Sequence, residues 1–456
     1  MLMWCGIDWA EHHHDVAVID EAGQLRARLR IGDDAAGFTA LLELLATHRL
    51  DCAADIPVAI ETAKGLLVAN LRAAGITVFA INPLSVSRYR DRYSPSRAKS
   101  DAADALVLAN ILRTDAASHR VVPDDSELAG SIRVLARAHQ DAIWDRMQTA
   151  GKLRSLLREY YPTFLAAFDD LTSREARATL QLVASPGGIP RLRRTSLVAA
   201  LRRAGRRRLV DDAADRILAK LKTEQLRQPP LVEAAMAQRA LAYARVLDTM
   251  VANIAALEVA LETAYLKHPD AAIISSFPGL GIVLGARMLG EIGDDRTRFA
   301  DAHGLKAFAG TALVTRASGM KTVVTRRVIR NKRLGQVAYL WALPMLAHSP
   351  GARAHYDRRR TAGDTYSAAA RNLSNRALGM LHHCLQTRQP LQREQGVPDH
   401  DDRDGDLWQT LRRQGPSRGP GATRRSRRLT AKRHAMSARR GSTGGSCPKP
   451  WSSPPE

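Results

Sequence analysis

The chain has 456 residues, enough for two or three domains with full-sized cores. Its 68 Lys and Arg against 46 Asp and Glu give a formal net charge of +22, a basic excess that calls for a polyanionic partner, most simply nucleic acid. There is no run of eighteen apolar residues and no basic N-terminal region leading into an apolar stretch with a cleavage site, so the reading is no membrane and a cytoplasmic, nucleoid-associated protein.

Residues 1–118 alternate strand and helix signals. WCGIDWA, HHHDVAVID and QLRARLRI predict three short strands in a meander, and FTALLELLATHRL a helix of period 3.6. PVAIET then reads as a strand, GLLVANLRAAG as a helix with a Gly stop, TVFAIN as a strand and DAADALVLANILRT as a closing helix. This is the element order of an α/β ribonuclease-H-like fold, in which the first strand, the fourth strand and the last helix meet at one edge of the sheet.

Those three elements carry acids: Asp8, Glu61, and the pair Asp101 and Asp104. The pair is spaced to project from one helix face. Four converging carboxylates repel one another and raise their own pKa values unless neutralised. Hard oxygen ligands of this kind suit Mg²⁺ or Mn²⁺, which predicts a two-metal site acting on phosphodiesters. The four cysteines (Cys5, Cys52, Cys384, Cys447) have no C-x-x-C spacing, which argues against zinc and a disulfide scaffold and fits a reducing compartment.

Residues 119–268 contain two long helical patterns, SELAGSIRVLARAHQDAIWDRMQTAGKLRSLLREYYP and PPLVEAAMAQRALAYARVLDTMVANIAALEVALETAYLKHP, which predict a coiled-coil-like arm. The stretch PRLRRTSLVAALRRAGRRRLV between them reads as a phosphate-backbone contact or as a solvated helix face.

Residues 269–390 predict a mixed α+β domain rich in turns. In FPGLGIVLGARMLGEIG, Pro278, Gly279 and Gly281 resemble the hairpin of helix-hairpin-helix DNA binders, with backbone N–H groups open to a phosphate at a helix start. An ordinary Pro-Gly turn before a helix explains them as well. Further on, Ser318 and Gly319 occupy a turn between two short strands, with Lys321, Arg326, Arg327, Arg330, Lys332 and Arg333 close by in sequence. Such a serine can attack a phosphodiester whose developing charge the cations stabilise; equally, Ser-Gly is a common turn pair. From 391 to 456 the chain turns Pro-, Gly-, Ser- and Arg-rich, which predicts a disordered basic tail.

Taken together, the four acids, KSDAADA, the LLREYYP helix end, the PGLG…EIGD block, the Ser318 segment and SPGARAHYDRRR resemble the DEDD-type insertion-sequence transposases, relatives of the pilin-gene invertases and bridge-RNA-guided recombinases. The similarity runs in order from Met1 to about Pro390. It implies a RuvC-like metal site made by Asp8, Glu61, Asp101 and Asp104, and a nucleophilic Ser318 that forms a covalent phosphoserine link to DNA. It also implies a homo-oligomer (dimer or tetramer) on DNA and a non-coding guide RNA from the same element. Beyond HCLQTRQP the chain leaves the family pattern, and a change of reading frame in the gene would account for the tail.

Other residues read structurally. His12, His13 and His14 fit a polar turn between strands. Glu291 and Asp294 match the EIGD block or a helix C-terminal turn. Trp144, Tyr160 and Tyr161 fall at packing positions, and His382, His383 and Cys384 point in different directions on a helix. The leading reading is a transposase or site-specific recombinase that cleaves and rejoins DNA. The alternatives are a Holliday-junction-type endonuclease using the acids alone, and a non-catalytic nucleic-acid-binding remnant.

Overall fold

Three antiparallel strands open the chain: β1 (Met3–Trp9), β2 (His13–Asp20) and β3 (Leu25–Gly32). After α1 (Ala35–Arg49) come β4 (Val58–Ile60), α2 (Leu66–Ala73), β5 (Val78–Ala80), α3 (Pro83–Tyr93) and α4 (Asp101–Asp115). The computed structural model describes residues 2–49, 54–93, 101–319 and 321–391, with the backbone alone at 91–93 and 101–102. The predicted tail from 392 onward lies outside the described residues.

The five strands are ordered β3-β2-β1-β4-β5, with β1 parallel to β4 and β4 parallel to β5. Alternation along the strands separates two cores. Cys5, Ile7, Val58 and Ile60 pack with Leu41, Leu45, Leu67 and Leu71 of α1 and α2. Trp4 and Ala59 pack on the other face with Leu108, Ile111 and Leu112 of α4. Period two therefore puts Trp4, Gly6 and Asp8 on the α4 face of β1. The strands that bear the acids are interior ones, so the meeting place is the carboxyl end of two adjacent central strands and not a lateral edge of the sheet.

Two long helices follow, α5 (Glu127–Tyr160) and, after a gap, α10 (Pro230–Leu266). Between them the sequence hides four short helices, α6 (Pro162–Ala167), α7 (Arg174–Leu182), α8 (Arg194–Arg203) and α9 (Val210–Leu221), which cap the far end of the pair. Tyr160, Tyr161, Phe164 and Phe168 stack in this cap, and Leu153, Leu157, Ala240, Ala244 and Leu247 tie it to the arm.

The C-terminal region is mainly helical: α11 (Ala271–Ser275), α12 (Ile282–Ile292), α13 (Ala302–Ala309), α14 (Lys332–His348), α15 (Pro350–Thr361) and α16 (Tyr366–Thr387). Among the described residues its one β element is a two-stranded ribbon, β6 (Leu313–Ser318) with β7 (Lys321–Arg326). These helices share a core with the root of the arm, around Trp341, Tyr265, Ile132 and Leu261. The chain is thus a mixed α/β protein, mostly helical, and no described helix is long and apolar enough to cross a membrane.

Candidate active site

Gly6 sets the acidic end of the sheet. A Cβ at this position would run into the Ala105 carbonyl oxygen and lie 2.5 Å from the Ala109 amide nitrogen, so α4 crosses β1 with main chain against main chain. Asp104 stands next to Ala105 on the buried face of α4, with 2% of its surface exposed. Asp8 lies two residues beyond Gly6 on the same sheet face. In the neighbouring strand Ile60 is paired with Ile7, so Glu61 follows one step along the same register as Asp8. Ala59 faces α4, and alternation carries Glu61 to that side.

Asp8 and Glu61 therefore share the α4 face at the same end of two neighbouring strands, and Asp104 lies on the helix that crosses β1. Asp101 begins α4 one turn before Asp104; its side chain lies outside the described residues. Arg90 on α3 comes within 2.6 Å of the Asp104 carboxylate. Geometry weakens the contact, since neither Asp104 Oδ1 nor Arg90 Nε makes a well-formed hydrogen bond. A buried carboxylate oxygen left in this condition has coordinating capacity to spare, and the acids are hard donors of the type Mg²⁺ takes. Among the described residues no group of three or more His, Cys, Asp or Glu is close-set enough to hold a metal ion by itself.

Of the histidines after β1, His14 has structural work, while the Nε2 of His13 is buried without a hydrogen bond. His14 is buried, accepts from the Ala10 amide (3.4 Å) and meets Asp33 at 3.2 Å, which closes the β1–β2 hairpin.

Ser318 ends β6 and pairs in register with Lys321, leaving Gly319 at φ +56 in the turn. A Cβ at Gly319 would meet nothing within 4 Å. Sequence proximity misleads about the cations. Arg326 pairs with Leu313 at the opposite end of the ribbon, five residue steps or ~17 Å from the serine. Arg327 and Arg330 follow Arg326 away from the tip, and Lys332 and Arg333 belong to α14. Of the six cations named for this segment, Lys321 alone is the register partner of Ser318, and Arg333 is spent elsewhere: it bonds Asp141 (2.7 Å) and Gln140 (3.0 Å) and stacks 5.0 Å from the Trp144 ring.

The Pro278–Gly281 turn is also packed from one side. Trp341 Nε1 donates to the Pro278 carbonyl at 3.0 Å, and a Cβ on Gly279 (φ +77) would sit 2.8 Å from the Met345 amide nitrogen. Gly281 at the start of α12 remains exposed with open space around it.

Sequence reading missed Gly6, although an isolated Gly inside an apolar strand signals close backbone approach. It also missed what Glu291 does. This buried carboxylate accepts from Arg137 (2.7 and 2.8 Å) and Asn331 (2.7 Å). Burial by itself would raise its pKa, but the hydrogen bonds from Arg137 and Asn331 prevail and hold it below the usual glutamate range. Asn331 also caps α14 by accepting from Leu334, so the segment leaving the ribbon is fixed to α12 and α5.

Comparison with known proteins places the chain in a family. A family model described as "Transposase" matches residues 5–162, and one described as "Transposase IS116/IS110/IS902 family" matches residues 271–357. A Streptomyces coelicolor protein named as a transposase for the IS117 mini-circle is 53% identical over 393 residues, covering 85% of this chain and 95% of its own length. The 42 kDa protein of insertion element IS900 from Mycobacterium paratuberculosis is 30% identical over 394 residues, 83% of this chain and 94% of that one. Two matched segments, one spanning the acidic corner and one spanning the ribbon, and near full-length identity above one half make this chain a member of the IS110/IS116 family of transposases.

Proposed function

We propose that this transposase is a site-specific recombinase in which Asp8, Glu61, Asp101 and Asp104 form one metal-binding corner and Ser318 is the nucleophile. The observation that carries the reading is the main-chain seam at Gly6, which holds the helix of Asp104 directly over the strand of Asp8. The strand order and the placement of α4 support a ribonuclease-H-like, RuvC-like domain over 1–118. Residues 119–268 are then an arm, 269–390 the domain that carries the serine and the Pro278–Gly281 phosphate turn, and 391–456 a basic tail.

Asp8, Glu61, Asp101 and Asp104 would hold Mg²⁺ or Mn²⁺, which when bound neutralises charge at a phosphate and acidifies a coordinated hydroxyl. The remaining work belongs to the chain. Ser318 Oγ attacks phosphorus, the Oγ–P bond forms as the bond to the leaving sugar oxygen breaks, and the serine proton ends on that sugar oxygen as its hydroxyl. Attack by a second strand's sugar hydroxyl reverses the step, so the phosphodiester is rejoined without net hydrolysis. Lys321, opposite Ser318, supplies positive charge at the tip, and Gly319 leaves space for the phosphate to approach. The net charge of +22 supports a nucleic-acid partner. The family resemblance supports assembly as a homo-oligomer on DNA with a guide RNA from the element.

The test is strand exchange with donor DNA, target DNA and flanking RNA in Mg²⁺, with trapped protein–DNA adducts analysed by mass spectrometry. Asp8→Ala, Glu61→Ala, Asp101→Ala and Asp104→Ala should each abolish exchange, because members of one catalytic unit are far from additive. Full recombination by Asp104→Ala would rule out the shared corner. Cut DNA with no protein-linked product would favour the junction-endonuclease reading.

A further inference from the structure

The base of the ribbon gathers positive charge that no carboxylate pairs within 4 Å among the described residues. Arg330 lies across two glycines. A Cβ on Gly310 would collide with its Cδ and lie 2.8 Å from its Cβ, and one on Gly335 would lie 3.5 Å from its Cζ. The stem of Arg330 is therefore seated in a channel that any other residue at 310 would fill, and Gly310 itself adopts φ +75. Next to Gly310, the Thr311 hydroxyl is 3.0 Å from Asn375 Oδ1 of α16. Arg371 and Gly379 stand one turn on either side of Asn375, on the same helix face. At Gly379 a Cβ would lie 3.1 Å from Lys306 Nζ, which places that face along α13 and the start of the ribbon.

Arg371 is half-buried, and burial pushes its guanidinium below the usual arginine range. Asp364 opposes this, but Arg326, Arg359 and Arg330 press the same way as burial. Asp364 is itself engaged by Arg359 at 2.7 Å. No carboxylate is within 4 Å of Arg326, Arg330 or Arg371 among the described residues. The Nε of neighbouring Arg327 is buried without a hydrogen bond. Like charges brought together and partly desolvated are unfavourable unless an anion joins them, and planar guanidinium groups match phosphate oxygens.

Resting on the recombinase reading, we propose that Arg326, Arg330 and Arg371 form a phosphodiester-binding site at the base of the ribbon, with Arg371 of α16 as its half-buried anchor. The site lies ~17 Å along the ribbon from Ser318, so it grips a backbone phosphate several nucleotides away from the reacting one. It acts as a positioning clamp and takes no part in bond breaking. Duplex DNA and RNA offer the same phosphodiester, and the seating of Arg330 between two glycines fixes a guanidinium for either.

Binding of the full chain to a 30-base-pair duplex and to a 30-nucleotide RNA, by fluorescence anisotropy over a salt series, tests the clamp. Arg371→Gln should weaken binding about tenfold to one of the two and reduce the log–log salt slope by about 0.7–0.9, the share of one phosphate contact. The arm that loses affinity identifies the source. Arg371→Lys should keep most of the slope while losing affinity, since it retains the charge without the fork. Arg330→Gln, at an exposed position, gives the same reading if Arg371→Gln fails to fold. Binding within twofold of the parent on both probes with an unchanged slope overturns the clamp while leaving the recombinase reading intact. Unchanged binding with lost self-association on gel filtration overturns it in favour of an acidic face on a second copy. A parent chain that binds neither probe overturns the recombinase reading itself.

Discussion

Arg137 on α5 and Glu291 on α12, separated by 154 residues, form a two-point ion pair at 2.7 and 2.8 Å. Glu291 is 4% exposed and Asn331 completes its hydrogen bonding. Removing the carboxylate strands Arg137 and Asn331 together. Glu291→Ala should therefore cost about 3–5 kcal/mol, measured as a shift of the urea midpoint of the C-terminal region. A shift below about 1 kcal/mol would mean that the pair is replaceable by water.

Acid should loosen the same region. Glu291, Asp294 and Asp295 all titrate below their ordinary values. In each, burial works the other way and is outweighed, at Asp294 by the Ser126 and His268 hydrogen bonds and at Asp295 by those of Thr297. Groups with depressed folded-state pKa values add stability above their unfolded values, near 4, and lose it as pH falls through the folded ones. The melting temperature should hold from pH 7 to about 5 and fall steeply below about 4. A flat profile down to pH 3 would contradict this assignment.

Crowding at the seam gives a sharper test of the acidic corner. Gly6→Val places a side chain where the Ala105 carbonyl sits, and overpacking of this kind costs about 1–3 kcal/mol or more. Strand exchange should be lost even at temperatures where the variant stays folded, because α4 must lift from β1. Parent-level exchange by a folded Gly6→Val protein would detach the seam from catalysis.

Ser318→Ala should bind DNA and RNA within about twofold of the parent, since the residue is exposed and has no packing role, yet yield neither adduct nor recombinant. Ser318→Cys should retain weak exchange, the thiolate being a better nucleophile in altered geometry. Nucleotide found by mass spectrometry on a peptide lacking Ser318 would move the nucleophile elsewhere.

Salt should govern affinity throughout. A chain of net charge +22 should lose about 10³-fold in binding between 50 and 200 mM salt. Truncation after Pro390 should lower non-specific affinity and leave strand exchange in place; loss of exchange by a folded truncation would make the tail functional.

The sheet was legible because its strands are short apolar or alternating runs bounded by turn residues, and WCGIDW and PVAIE place their acids at the strand ends. α3 was not, since Pro83 and the Ser- and Arg-rich PLSVSRYRDRY lack an apolar stripe. The cap escaped for another reason: α6 to α9 are each 12 residues or fewer and are stabilised by packing against Tyr160 and Leu247 more than by their own pattern. Ser318 and Arg326 look adjacent in sequence, but an extended ribbon moves neighbours apart by ~3.4 Å per residue. Arg371 gave no signal at all, because its setting depends on Gly310 and Thr311, sixty residues earlier.

One helix pair serves two separate hydrophobic cores. Near its root α5 and α10 bury Ile132, Ala136, Leu261 and Tyr265 with the C-terminal helices; near its far end they bury Leu153, Leu157, Ala240 and Leu247 with the cap. The α5 stretch between carries buried His139, Gln140 and Thr149, groups that contribute little apolar cohesion. Heat therefore meets two cooperative blocks along the arm, and a calorimetric scan should resolve into more than one transition. The cap can melt and re-form while the root and the ribbon stay native, so damage at the far end of the arm need not spread to the chemistry.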